Sequence, residues 1–111
     1  MKAIEKYIDA MINKDYKALS ELFDDNGSYN DYCAVFSERQ NDYHIFGKEA
    51  IEMFFRNKFA FFQYGASSPE ILNDNTVIFL ANMGGYYIKV MAEIESQTED
   101  GKIIELVVRP K

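Results

Sequence analysis

Apolar residues recur at three- and four-residue steps in the first part of the chain, which is the spacing of an amphipathic helix. The pattern predicts a first helix over residues 2–14. Its inward stripe consists of Ile4, Tyr7, Ile8, Met11 and Ile12. Asp15 has the side chain of an N-cap and predicts a second short helix after it. The segment 24–27, Asp-Asp-Asn-Gly, predicts a turn that ends this helix.

In the middle of the chain, the spacing of apolar residues changes from that of a helix to that of a strand and then back to that of a helix. Residues 28–35 alternate as a strand does, and one face carries Tyr29, Asp31, Cys33 and Val35. The polar segment 37–44 predicts a loop. A third helix is expected after Gly47, with a broad apolar face formed by Ile51, Phe54, Phe55, Phe59 and Phe62.

From about residue 61 onwards the pattern is that of strands, over 61–72, 76–83, 85–97 and 102–109. Tight turns are expected at 73–75 and at 99–101, where an Asp-Gly pair is a strong hairpin signal. Helices followed by a run of antiparallel strands predict an α+β domain with its helices on one face of a sheet. No repeat, linker or break in composition divides residues 1–111, so one domain is expected.

The charge pattern limits the classes of partner that the protein is expected to bind. The net charge is −6 and the twelve Lys and Arg side chains are scattered, so no nucleic-acid partner is expected. No long apolar run and no signal peptide is present, which predicts a cytoplasmic protein without a membrane partner. One His and one Cys form no credible zinc site, and no metal or other cofactor is expected.

The segments YIDAMINKDYKALSELFDD, SYND and FGKEAIEMFF, followed by the terminal strands, resemble the nuclear transport factor 2-like superfamily along nearly the whole chain. They are especially similar to its SnoaL-like and ketosteroid isomerase-like branch. The resemblance implies a cone-shaped fold, in which a curved antiparallel sheet wraps around the N-terminal helices and one long third helix and encloses an apolar pocket. It also implies a homodimer through the outer sheet face. The superfamily includes isomerases, dehydratases, cyclases and non-catalytic binding modules, so the fold alone does not choose among them.

The resemblance also suggests three catalytic residues. Tyr7 lies where the family has a tyrosine that donates to a developing enolate oxygen, and Asp31, 24 positions later, lies where it has a carboxylate base. Glu93 lies where the family has an acid, although the family residue is Asp. An apolar cavity disfavours ionisation of a carboxyl group and strengthens such donors.

Each of these residues also has a plain structural interpretation. Tyr7 lies on the apolar stripe of its helix and can be a core tyrosine. Asp31 can bond to backbone at a pocket rim. Strand parity directs Glu93 to solvent unless a bulge intervenes. The segment 35–46, which is expected near the pocket mouth, is longer than in the family. No proline follows Asp31, as it often does in the family. The resemblance therefore does not identify the substrate.

The abundant aromatic residues are the main indication of a pocket. The residues expected to line it are Phe54, Phe55, Phe59, Tyr29, Phe79 and Met91. The alternative is a filled aromatic core. The sequence therefore predicts a domain that binds a small apolar ligand, non-catalytic or of unknown activity. The alternative is a cofactor-independent isomerase, dehydratase or cyclase in which Asp31 is the general base and Tyr7 the oxyanion donor.

Overall fold

Three helices and a six-stranded sheet form the fold in a computed structural model that describes residues 1–34 and 41–111. The elements are α1 (Ala3–Ile12), α2 (Tyr16–Glu21), β1 (Phe23–Asp31), β2 (Tyr43–Phe46), α3 (Lys48–Phe61), β3 (Tyr64–Asn73), β4 (Thr76–Met83), β5 (Tyr87–Gln97) and β6 (Ile103–Pro110). The strand order is β2-β1-β6-β5-β4-β3. The predicted α+β class is confirmed.

The first two helices begin within one residue of where the sequence predicts, at Ala3 and Tyr16. The Glu5 carboxylate accepts a hydrogen bond from the Lys2 backbone N–H at 3.0 Å, and Asp15 caps α2 by accepting from the Ala18 backbone N–H at 3.0 Å. These bonds satisfy N–H groups that lack partners within the helix. Ile12 is more exposed than predicted, because α1 ends at this residue and turns it away from the core.

Strand β1 differs from the prediction at its start. The segment 24–27 is part of the strand, and a register shift between Phe23 and Ser28 absorbs the extra residues where β1 pairs with β6. This pairing is parallel, whereas the neighbouring strand pairs are antiparallel. The predicted turn is wrong, because these four residues continue β1 between Phe23 and Ser28, which both pair with β6.

Strand β2 lies in part of the segment predicted as a loop. It runs antiparallel to β1, with His44 opposite Asn30. The predicted loop residues 37–40 and the predicted strand residue Val35 lie outside the described residues. Helix α3 begins directly after Gly47, whose φ of 95° is a conformation that favours glycine.

The sheet has one apolar face, which packs against the helices. The inward side chains include Tyr29, Val77, Phe79, Ala81, Val90, Ala92, Ile94, Leu106 and Val108. Ile51 and Phe55 of α3 are fully buried against them. Phe62, predicted to lie on the apolar face of the third helix, is exposed, as is Phe61, because α3 ends at Phe61 and its last turn extends beyond the core.

The opposite, outer face carries a mixed set of residues. They include Ser28, Asn30, His44, Phe46, Met91, Glu93, Val107 and Arg109. None of the helices formed by the described residues is long and apolar enough to cross a bilayer.

Candidate functional site

Polar side chains of several elements meet inside the apolar core. We call them the interior polar cluster: Tyr7 of α1, Tyr29 and Asp31 of β1, Cys33, and Tyr64 of β3. Each is buried. The helical stripe directs Tyr7 inward, and the two-residue period of β1 directs Tyr29 and Asp31 to the same face. The fold therefore brings together Tyr7 and Asp31, two of the three predicted catalytic residues.

The Asp31 carboxylate is held by hydrogen bonds at both oxygens. The Cys33 backbone N–H donates to Oδ1 at 2.8 Å, and the Tyr29 hydroxyl donates to Oδ2 at 3.4 Å. Only 2% of the residue is exposed. A buried carboxylate needs such donors to offset its lost hydration, and the two bonds fix its orientation.

The Tyr7 hydroxyl has no hydrogen-bond partner among the described residues, although Tyr7 is completely buried. Its ring lies edge-on to that of Phe79, with 6.3 Å between centroids. A buried hydroxyl without a partner costs about 1–3 kcal/mol. Burial, and then the nearby Tyr64, Asp31 and Cys33 groups, raise the pKa of Tyr7 well above its usual value. Tyr7 is therefore a neutral phenol that can donate.

Tyr29 is also held in its neutral form. Burial raises the pKa of Tyr29 well above its usual value, and Tyr64 and Asp31 act in the same direction. The Tyr64 side chain also takes part in a hydrogen bond with Tyr29. Sequence reasoning counted Tyr64 only among the aromatic residues, since no local pattern shows that its hydroxyl meets a residue 35 positions earlier.

Aromatic rings pack closely around this cluster. The Tyr29 ring centroid lies 4.8 Å from that of Phe55 and 5.7 Å from that of Phe54, and Phe59 lies 5.6 Å from Phe55. Four clefts lined by described residues lie at the surface, and Tyr7 and Asp31 line none of these four. In the described part of the chain, these rings form a packed core.

The predicted lining residues do not all lie on this side of the sheet. Tyr29, Phe55 and Phe79 are buried in the core, whereas Phe54 and Phe59 are half-buried. Met91 is opposite Ile78 and Arg109 on the outer face, so its predicted place in the pocket wall is wrong. Strand β5 is regular at this position, and its parity separates Met91 from the core.

Glu93 also lies on the outer face. It is opposite Thr76 and Val107, and one of its oxygens lies 3.9 Å from the Arg109 guanidinium. No register shift separates Glu93 from Thr76 on β4 or from Val107 on β6, so no bulge turns its side chain inward. The prediction that Glu93 lies beside Tyr7 and Asp31 is therefore wrong. Strand β5 adds no carboxylate to the interior polar cluster at this position.

A surface arrangement near this region was not singled out from the sequence. The Lys58 ammonium donates to the Tyr43 hydroxyl at 2.6 Å and lies near the rings of Tyr43, Phe54 and Phe62. The i, i+4 spacing of residues 54, 58 and 62 was a signal available in the sequence. Within the described segments, no group of three or more His, Cys, Asp or Glu side chains could hold a metal.

Solved structures share this architecture at low sequence identity. A hypothetical protein from Catenulispora acidiphila with a ketosteroid isomerase-like fold, in complex with trimethylamine, has a TM-score of 0.66 and 14% identity, over 96% of this chain and 83% of that chain. An NTF2-like protein of unknown function from Cytophaga hutchinsonii has a TM-score of 0.63 and 18% identity, over 98% and 87%. The Anabaena Orange Carotenoid Protein binding canthaxanthin has a TM-score of 0.70 and 17% identity, over 97% and 35%.

No family model matches the sequence, and no curated protein matches it. Identities this low carry information about architecture rather than activity. The three helices, the mostly antiparallel six-stranded sheet and these matches over nearly the whole of this chain together show that the chain has the NTF2-like, ketosteroid isomerase-like fold.

Proposed function

We propose that this domain binds a small, largely apolar molecule that carries one hydrogen-bond acceptor, at the interior polar cluster. The observation that carries the proposal is the Tyr7 hydroxyl, which is fully buried and has no partner among the described residues. A ligand carbonyl or ether oxygen that accepts from Tyr7 recovers the cost of that unsatisfied donor. The aromatic rings supply the apolar contact area.

Access to the cluster requires movement of the rings on one side. Phe54 and Phe59 are only half-buried, whereas Phe55 is completely buried. The Phe54 ring lies between those of Tyr43 and Tyr29. We place the ligand's route through these two half-buried rings, because their displacement exposes less apolar area than movement of Phe55 does.

The structural neighbours support ligand binding in general terms. One is in complex with trimethylamine, and another binds the carotenoid canthaxanthin. These molecules differ greatly in size. The fold is therefore compatible with occupants of several sizes, and the ligand of this chain must be sought by its chemistry.

A second candidate function is a cofactor-independent isomerase, dehydratase or cyclase. The observation that favours it is the location of Asp31 and Tyr7 in one buried cluster. Asp31 removes a proton from a carbon next to a carbonyl group, and Tyr7 donates to the oxygen on which negative charge develops. The bonds from Tyr29 and from the Cys33 backbone orient the base. Glu93 has no part in this reaction.

The test compares three variants in a screen of apolar ketones, lactones and ethers by ligand-detected NMR. Tyr7→Phe removes the unpartnered hydroxyl and should weaken binding about tenfold, the value of one lost hydrogen bond. Tyr86→Phe is the matched control, since Tyr86 is exposed. Equal affinities of wild type and Tyr7→Phe for every hit contradict the proposal. Asp31→Asn should keep binding and abolish turnover if the domain is an enzyme.

A homodimer through the outer sheet face is part of the same proposal. This face presents the exposed Phe46 and Tyr32, together with the Arg109 side chain, which pairs with Glu93 and Glu95. Exposed aromatic and Arg side chains are enriched at protein interfaces. The interior polar cluster lies on the opposite side of the sheet, so dimerisation leaves it unobstructed.

A further inference from the structure

An aromatic cage surrounds the Lys58 ammonium at the surface, outside the interior polar cluster. The ammonium nitrogen lies 4.5 Å from the ring centroid of Tyr43, 4.8 Å from that of Phe62 and 5.6 Å from that of Phe54. The distances to Phe54 and Phe62 are within the range in which a cation is attracted to the face of a ring. At Tyr43 the ammonium lies beside the hydroxyl, 2.6 Å from its oxygen, at the edge of the ring. We call these three rings the cage.

The local sequence explains why the cage forms. Residues 54, 58 and 62 are spaced by four, so they lie on one side of α3 and its C-terminal cap. Tyr43 comes from the start of β2, and its ring lies edge-on to Phe54 with centroids 4.9 Å apart. Two separate elements therefore supply the walls, and this contact fixes their relative orientation.

The three rings form a recognition site for an ammonium group, and the chain's own lysine occupies it. Contact with the rings of Phe54 and Phe62 and one hydrogen bond to the Tyr43 hydroxyl at 2.6 Å hold the side chain in place. Holding a lysine side chain in one conformation costs rotamer entropy, which offsets part of these contacts, so Lys58 is displaceable.

From this geometry we propose that the cage is a binding site for small methylated ammonium compounds, which displace the Lys58 side chain. A primary ammonium is strongly hydrated and loses that water to enter the cage. A trimethylammonium group has apolar methyl surface and less hydration to lose, and aromatic cages bind such groups. The site is distinct from the interior polar cluster, although the Phe54 ring also packs against Tyr29.

The experiment uses tetramethylammonium chloride as the probe, followed by NMR of the probe methyl protons and of the protein's aromatic rings. Sodium chloride at the same ionic strength is the reference. Wild type should bind weakly and saturably, with shifts at Tyr43, Phe54 and Phe62. Lys58→Ala removes the internal competitor and should bind about tenfold more tightly, if the cage is vacant about a tenth of the time in wild type.

Two further variants separate cage binding from a general charge effect. Lys17→Ala removes one positive charge from an exposed position on α2 and should bind like wild type. Phe62→Leu in the Lys58→Ala background removes one wall and should weaken binding about fivefold, the value of about one cation–π contact. Phe62 is exposed, so this change leaves the core intact.

Three results overturn the proposal: Lys58→Ala binds no more tightly than wild type, Lys17→Ala gains affinity equally, or the probe shifts resonances outside the cage only. If the cage proposal fails, the proposal for the interior ligand site still stands, because that proposal is tested separately with Tyr7→Phe and a different set of probes.

Discussion

The hydroxyl of Tyr29 donates to Oδ2 of Asp31 across 3.4 Å, from the same face of the same strand. Two residues on, the Cys33 backbone N–H bonds to the other oxygen of this carboxylate. The carboxylate therefore has donors on both sides, while the Tyr7 hydroxyl in the same cluster has no partner among the described residues. This contrast between one satisfied and one unsatisfied phenol gives the first prediction.

Tyr7→Phe and Tyr29→Phe should change stability in opposite directions. Tyr7→Phe removes a buried donor that lacks a partner, so the free energy of unfolding should rise by up to about 1 kcal/mol. Tyr29→Phe removes the bond to Asp31 and should lower it by about 1–2 kcal/mol. Urea unfolding followed by far-ultraviolet circular dichroism measures both values. A destabilised Tyr7→Phe would show that its hydroxyl already has a partner in the free protein.

The two buried phenols also predict how stability depends on pH. The folded-state pKa values of Tyr7 and Tyr29 lie above the usual value, so the folded chain keeps protons that the unfolded chain loses near pH 10. Their contribution to the free energy of unfolding is fully present below about pH 10. It falls as the pH rises further, by up to about 1.4 kcal/mol per pH unit for each group.

Absorbance at 295 nm during an alkaline titration measures this effect. Tyr7 and Tyr29 should ionise only as the chain unfolds, because burial raises the pKa of both. Urea unfolding at several pH values gives the free energy of unfolding at each pH. Above about pH 10 this free energy should fall less steeply with pH in Tyr7→Phe than in wild type. Reversible ionisation of all eight tyrosines in the folded state would contradict the burial of these two.

Strand periodicity was the most reliable guide to the sheet. Ile88, Val90, Ala92 and Ile94 are alternate residues of the sequence and form the inward face of β5, because the two-residue period is a property of the strand itself. The same parity placed Glu93 in solvent. The resemblance to a family suggests the opposite for Glu93, and the pairing of Glu93 with Thr76 and Val107 agrees with the parity.

What the sequence could not predict depends on contacts between distant residues. Residues 24–27 lie between Phe23 and Ser28, which pair with Ile103 and Glu105 of β6, and nothing local indicates these pairings. The exposure of Phe61 and Phe62 follows from where α3 ends relative to the core. The hydrogen bond between Tyr29 and Tyr64 joins β1 to β3, which lie at well-separated positions in the sheet.

Glu93→Gln tests the position of this side chain directly. Its ion pair with Arg109 is partly exposed, at 3.9 Å, so the change in the free energy of unfolding should stay below about 0.5–1 kcal/mol. Binding of a ligand at the interior polar cluster should be unchanged, since Glu93 is on the other side of the sheet. A loss of ligand affinity comparable to that of Tyr7→Phe would require Glu93 to reach the interior.

Gly27 should be intolerant of a side chain, because a Cβ at this position would lie 2.7 Å from the Ile103 carbonyl oxygen and 3.1 Å from that of Asp24. Both are backbone atoms, so the β1–β6 pairing must shift. Gly27→Ala should cost about 1–3 kcal/mol. Asn26→Ala, at the exposed neighbouring position, should stay within about 0.5 kcal/mol of wild type. Similar unfolding midpoints for the two variants would contradict the close approach of these strands.

The proposed dimer gives the last prediction. Sedimentation equilibrium at micromolar concentration should give twice the 12.9 kDa of one chain. Phe46 is 69% exposed on the outer face, and in Phe46→Asp a charge at this position would be desolvated in the interface, so the variant should sediment as a monomer. Met53→Asp is the matched control, because Met53 is comparably exposed but lies on α3, away from that face. A wild-type mass of one chain, or equal dissociation in both variants, contradicts this interface. Since the interior polar cluster is enclosed within one chain, monomeric Phe46→Asp should still bind the interior ligand with wild-type affinity.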